Sequence, residues 1–164
     1  MVLGDPAPGQ AGPMTGSVRM SVHQGLVMQT LLSPKDQPFL DHHRIDGTSV
    51  LPGVMGMEAF AEAALLLAPD HKVLALEDVV FAAPLKFYRD EPRTLTVQVV
   101  VSPDGEGLMA HARLVAERKL AGQAQPQRTL HFSGTVRLSR KAAAAEQATP
   151  LLPQCSDVYK RQVW

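Results

Sequence analysis

The sequence predicts an α+β domain, one antiparallel sheet wrapped around a single central helix. Two observations carry that expectation. The first is an apolar, alanine-rich segment at helical spacing from Val54 to Leu67, opened by Pro52-Gly53 and closed by Pro69-Asp70. The second is the change of period around it: one strand-like segment precedes the helix and four follow, separated by proline or glycine. With 164 residues, 45% of them hydrophobic, the chain can bury a sizeable single core.

Taken in order, residues 1–16 are rich in Gly, Pro and Ala and read as linker, with the domain over 17–140. Ser21 to Ser33 is expected to be a first strand carrying Leu26, Met28, Thr30 and Leu32 on one face. Pro34 and Pro38 then impose a loop that runs through His43. Pro52 fits the first turn of the helix, where its missing N–H costs nothing. Met57, Ala61, Ala64 and Leu65 recur at helical spacing, and Ala59, Ala61, Ala63 and Ala64 keep the helix thin enough to lie against a curved sheet. Val73 to Phe81, Arg93 to Val101, Leu108 to Glu117 and Thr129 to Leu138 read as strands, with a hairpin turn in Ser102 to Gly107 and a longer polar connection in Gly122 to Gln127. Residues 141–154 are Ala-rich and read as linker. Asp157-Val158-Tyr159-Lys160-Arg161-Gln162 matches the in-frame translation of a transposon end used for sequencing libraries. Residues 155–164 are therefore read as a sequencing artefact or as the start of a second half.

Composition excludes several classes. A formal net charge of zero gives no electrostatic case for nucleic acid or an anionic membrane. Cys155 is the only cysteine, so an internal disulfide and a thiolate metal cluster are both ruled out, and a reducing cytoplasm is expected. The apolar helix is interrupted by Glu58 and Glu62 and is too short to span a bilayer. Met1 to Pro6 lack the basic and apolar regions of a signal peptide.

The chemistry is concentrated in His43 to Gly53. A histidine stands four residues before Gly47 and nine before Pro52-Gly53, a spacing whose chance occurrence is on the order of 10⁻³ across six histidines. Histidine titrates near working pH and suits a general base. Gly47 allows a sharp turn or a close approach. Gly53 offers an unobstructed amide at the positive end of a helix, suited to polarising a carbonyl. Such a loop assembles what is needed to deprotonate a carbon beside a carbonyl. Asp41 and Asp46 share the loop, and Asp46 reads as a turn residue bonding its own backbone. His42 reads as an exposed neighbour, His111 and His131 as strand face-fillers, and His23 and His71 as surface positions. Met55 and Met57 read as packing residues. The adjacent histidines make no metal site, because neighbouring side chains diverge and no third ligand sits at ligand spacing.

The motif His-x3-Gly-x4-Pro-Gly resembles the signature of hot-dog-fold dehydratases, above all the first half of the double hot-dog dehydratase domains of polyketide and fatty-acid synthases. The segments Phe39 to Gly47, Glu58 to Glu62 and Val73 to Tyr88 extend the likeness, which covers residues 25–140. The resemblance implies one half of a double hot-dog. It implies a hydro-lyase that removes water from a 3-hydroxyacyl thioester to give an enoyl thioester. His43 would be the base and the Gly53 amide the carbonyl donor, with Gly47 and Pro52 shaping the site and Leu51 and Val54 lining an acyl tunnel. No cofactor is implied beyond the phosphopantetheine arm of an acyl carrier protein. The implied partners are that carrier, other synthase domains in cis, the missing second half and a second copy in a homodimer. The family's acid is an aspartate on the second half's helix, which this sequence does not contain. A homodimeric single hot-dog would instead use Glu58, or Glu62, from the partner's helix. Two other readings stand beside the first: a stand-alone homodimeric hydratase or thioesterase, and a non-catalytic acyl-binding module.

Overall fold

In a computed structural model, which describes residues 12–118 and 125–140, the alternation of the sequence becomes a sheet curved around one helix. The elements run β1 (Ser17–Ser21), β2 (Gly25–Leu32), α1 (Pro38–Asp41), β3 (Arg44–Ile45), β4 (Thr48–Val50), α2 (Gly53–Leu67), β5 (His71–Phe81), β6 (Lys86–Phe87), β7 (Arg93–Asp104), β8 (Gly107–Arg118) and β9 (Gln127–Arg140). The main sheet has six strands in the order β1-β2-β7-β8-β9-β5, each pair antiparallel. A small sheet, β3-β4-β6, stands beside it. This is the hot-dog arrangement, and the expected α+β class holds.

Period-two burial explains why the strands wrap the helix. Leu26, Met28 and Leu32 of β2, Leu95, Val97 and Val99 of β7, Ala110, Ala112, Leu114 and Ala116 of β8, and Phe132, Val136 and Leu138 of β9 all join one core. Thr30 shares the β2 face, and its hydroxyl donates to the Met14 carbonyl at 2.6 Å. The small residues of β8 leave room for α2, which contacts β2, β5, β7, β8 and β9.

The helix is rotated relative to the stripe expected from Met57, Ala61, Ala64 and Leu65. Its buried residues are Gly56, Ala59, Phe60, Glu62, Ala63 and Ala64, while Met57, Ala61 and Leu65 are half-buried. The reason is steric: the large Phe60 ring takes the centre of the core, and the alanines beside it let the backbone approach the sheet. Pro52 is also one residue earlier than expected, forming the N-cap with Gly53 as first helical residue. Gly56 meets Phe132, where an added Cβ would lie 2.1 Å from the ring. Gly56→Ala is therefore expected to destabilise the fold by roughly 1–3 kcal/mol through overpacking, despite alanine's better helix propensity. Denaturant unfolding at constant m-value checks this.

Other boundaries moved. The linker ends before residue 16: Met14 is buried in the core, and β1 adds a hairpin on β2 that its short polar sequence did not announce. The loop expected between Pro34 and Pro52 contains α1, β3 and β4. The first half of the Gly122 to Gln127 connection, residues 141–154, Cys155 and the tail to 164 lie outside the described residues.

At the sheet's far edge, β5 pairs with β9 through two register breaks, between Val73 and Ala75 and between Glu77 and Val80. Asp78 takes φ +51° in the second break. Leu74, Val80 and Phe81 of this edge strand are exposed.

Candidate active site

His43 stands between the short α1 and β3, on a segment whose backbone is locked from both sides. Ile45 pairs with Thr48, so Asp46-Gly47 is a two-residue hairpin turn, with φ of 49° and 75°. Positive φ at both central residues is the requirement of the tight hairpin turn that Asp-Gly favours. The turn is thus Gly47's role here, and it brings His43 opposite Val50. The Val50 N–H donates to the His43 carbonyl at 3.0 Å, and the His43 ring Nδ1 lies 2.9 Å from the Val50 carbonyl oxygen. A carbonyl oxygen only accepts, so Nδ1 is the donor in this bond, and the neutral ring that makes it has its lone pair on Nε2. The imidazole is exposed and its orientation is set by the strand beneath it.

Val50 is followed by Leu51, Pro52 and the start of α2, so the strand that holds the imidazole leads directly into the helix N-terminus. The first intrahelical bonds run from the Met55 and Gly56 amides to the Pro52 carbonyl, at 3.0 and 3.3 Å. The Gly53 and Val54 amides precede them and lie at the positive end of the helix. Gly53 is also required sterically, because an added Cβ would lie 2.8 Å from the Phe81 ring. Phe81 in turn packs edge-on against Phe132, with ring centroids 5.0 Å apart at 89°. The two other expected lining residues are not brought together: Leu51 is buried in the core with its N–H on the Leu85 carbonyl at 2.9 Å, whereas Val54 is 63% exposed.

The acidic residues of the sequence reading find other partners. Asp41 accepts from Arg44 Nη2 at 2.6 Å. Asp46 is a turn residue. Glu58 is exposed on α2. Glu62 is buried and turned toward the N-terminal segment: its carboxylate accepts the Met14 N–H at 3.2 Å and the Thr15 hydroxyl at 2.5 Å. That engagement holds the carboxylate within its own chain. Burial pushes the Glu62 carboxyl up; bonds from Thr15 and Met14 pull the other way, and the nearby Glu58 charge pushes up again. The folded chain then holds a proton at pH values where the unfolded chain has lost it. Stability accordingly falls as pH rises from the ordinary glutamate range through the raised value, then levels off. Glu62→Gln is expected to flatten that slope in melting temperature measured against pH.

One group escaped the sequence reading. Arg44 donates from Nε to the Asp41 carbonyl at 3.0 Å, from Nη1 to the Gly47 carbonyl at 3.0 Å, and to both carboxylate oxygens of Asp90 at 3.1 and 3.2 Å. Asp90 also accepts from Ser49 Oγ at 3.2 Å. The Arg44 hydrogen bond holds the Asp90 carboxyl below its usual range, helped by Ser49. His131, read as a face-filling strand residue, is buried in β9. Its backbone carbonyl accepts the Ala82 and Ala83 amides, and its Nδ1 lies 3.2 Å from the Ala83 carbonyl. Burial pushes this imidazole's pKa down. Among the remaining histidines, His42, His23 and His111 are exposed and His71 is half-buried. No helix among the described residues is long and apolar enough to cross a membrane.

Comparison with known proteins places this geometry. Residues 13–116 match the family model of the polyketide synthase dehydratase domain. The polyketide synthase GfsB of Streptomyces halstedii is 30% identical over 150 residues, which is 84% of this chain and 3% of that protein. The dehydratase domain from the CurF module of the curacin polyketide synthase superposes with a TM-score of 0.64 at 18% identity, covering 82% of this chain and 46% of that one. The dehydratase domain from the terminal module of the rifamycin polyketide synthase gives 0.58 at 23% identity, covering 88% and 51%. That of PpsC from Mycobacterium tuberculosis gives 0.57 at 20% identity, covering 82% and 47%. The chain thus spans about half the length of the solved dehydratase domains it matches. With more than half of its residues inside the family model, the chain belongs to the polyketide synthase dehydratase domain family.

Proposed function

We propose that this chain is the N-terminal half of a 3-hydroxyacyl dehydratase domain, working on a thioester carried by the phosphopantetheine arm of an acyl carrier protein. The observation that carries the reading is the His43 Nδ1 to Val50 carbonyl bond at 2.9 Å, which turns Nε2 away from the strand that runs through Leu51 and Pro52 into α2. Nε2 removes the α-proton of the 3-hydroxyacyl thioester. The electron pair of that C–H bond forms the new double bond as the C–O bond to the 3-hydroxyl breaks, and the hydroxyl takes up a proton and leaves as water. Negative charge that builds on the thioester oxygen meets the Gly53 amide and the positive end of α2.

The proton given to the leaving hydroxyl comes from the second half, by likeness an aspartate on its helix. The exposed apolar edge of β5, with Leu74, Val80 and Phe81, supports a second half packed against this side. The reaction needs no further cofactor. The other partners of this reading are neighbouring synthase domains in the same polypeptide and a second copy of the whole, in the cytoplasm. The test uses the complete domain, this chain with its downstream half, supplied with a 3-hydroxyacyl pantetheine thioester. The expected result is the ultraviolet absorbance of the conjugated enoyl thioester and the mass loss of one water. Release of free acid without an enoyl product would establish a thioesterase instead.

A further inference from the structure

Arg44 and Asp90 take no part in proton transfer, yet they tie together the stretches on either side of His43. We infer that Asp90, acting through Arg44, is a positioning residue for His43, an inference that rests on the proposed base role of that imidazole. The guanidinium bonds fork-to-fork with both Asp90 oxygens and also grips the Asp41 carbonyl, the Asp41 carboxylate and the Gly47 carbonyl. Asp90 adds Ser49 Oγ. His43 lies between Asp41 and Arg44 in the chain, and its ring partner Val50 follows Ser49. Both ends of the His43–Val50 hydrogen bond are therefore flanked by groups fastened to one carboxylate.

The backbone around Asp90 points the same way. Arg89 and Asp90 take φ of 55° and 54°, two non-glycine residues in succession in the left-handed region. L residues adopt that conformation at a cost, and it persists where the surroundings over-determine it. Here it aims the Asp90 carboxylate, 46 residues from Arg44 in sequence, back at the guanidinium. Solvent-exposed ion pairs contribute little to stability, so the effect belongs in geometry. A lysine at 44 could not reproduce the fork.

The test takes the complete dehydratase protein with Asp90→Ala, Asp90→Asn and Arg44→Lys. It reads kcat and KM for the 3-hydroxyacyl thioester, the nitrogen-15 spectrum of the His43 ring, and the melting temperature. Asp90→Ala is expected to lower kcat by about tenfold to a hundredfold with KM unchanged, as small misplacements of a catalytic group do. The His43 ring should change from one Nδ1–H tautomer to a mixture, with the melting temperature nearly constant. Asp90→Asn, which keeps an acceptor, should recover most of the loss, and Arg44→Lys should resemble Asp90→Ala. If Asp90→Ala fails to fold, the Asn and Lys variants decide. An unaltered tautomer in the variants overturns the inference, whether kcat holds or falls with the melting temperature. A tautomer change in a protein that never dehydrates would overturn the base role and leave the positioning intact.

Discussion

His43→Ala in the complete dehydratase domain is expected to lower the rate of water elimination by roughly 10²–10⁴-fold, the usual contribution of a positioned general base. The loss should fall on kcat, since the imidazole acts on the α-proton in the transition state and the rest of the acyl chain still has its contacts. Stability should change by only about 1 kcal/mol, the worth of one hydrogen bond at an exposed ring. The comparison of turnover with melting temperature therefore separates a chemical role from a structural one. Turnover close to that of the unaltered protein, with the protein folded, would remove His43 from the mechanism. A thermal collapse would place the imidazole in the architecture of the loop.

Phe60→Ala carries the largest expected effect on folding. The ring is fully buried at the centre of α2, in contact with the core that five strands of the main sheet share. Gly134 on β9 lies against the ring, at a separation where an added Cβ would sit 3.5 Å from Phe60 Cε2. Alanine would leave a cavity that a sheet hydrogen-bonded along both sides of β9 cannot readily collapse to fill. Removing a buried phenylalanine costs about 3–5 kcal/mol, against a total stability of roughly 5–15 kcal/mol for a domain. Melting temperature should drop by about 15 °C or more, or the protein should aggregate on expression. A fall of only a few degrees would mean that the helix is seated on the sheet by other contacts.

The parts of this fold that were legible in the sequence are those written in local period. β7, β8 and β9 follow a largely alternating pattern, broken in β8 at Leu114-Val115, and α2 begins and ends where Gly53 and Pro69 punctuate the chain. His43 was legible because its motif is contiguous. Strand ends were read short: β7 continues through Ser102 and Pro103 to Asp104, since pairing with β8 extends to Gly107 and overrides the weak strand preference of those residues. The rotation of α2 was not legible, because Met57 and Phe60 both fit an apolar stripe and only the volume available against β9 decides between them. Asp90 could not be found by spacing at all. Its partner lies 46 residues away, and nothing about an Arg-Asp-Glu run before Pro92 distinguishes it from solvated surface. The Glu62 contact was not legible for a related reason: the segment that satisfies it, Met14-Thr15, reads as linker.

The strand order β1-β2-β7-β8-β9-β5 also sets a kinetic constraint on how the chain can reach its native state. The β7–β8 hairpin closes through Gly105-Glu106 and the β1–β2 hairpin through a few residues, so both can form early from neighbours in sequence. The pairings Leu32 with Arg93 and His71 with Arg140 each close a long loop. The first of these loops contains the whole of α2. Helix docking and sheet closure must therefore be accomplished together, and the loop entropy is spent before most of the core contacts exist. Folding dominated by such distant pairings belongs to the slow regime, milliseconds to seconds, and not to that of a helical bundle.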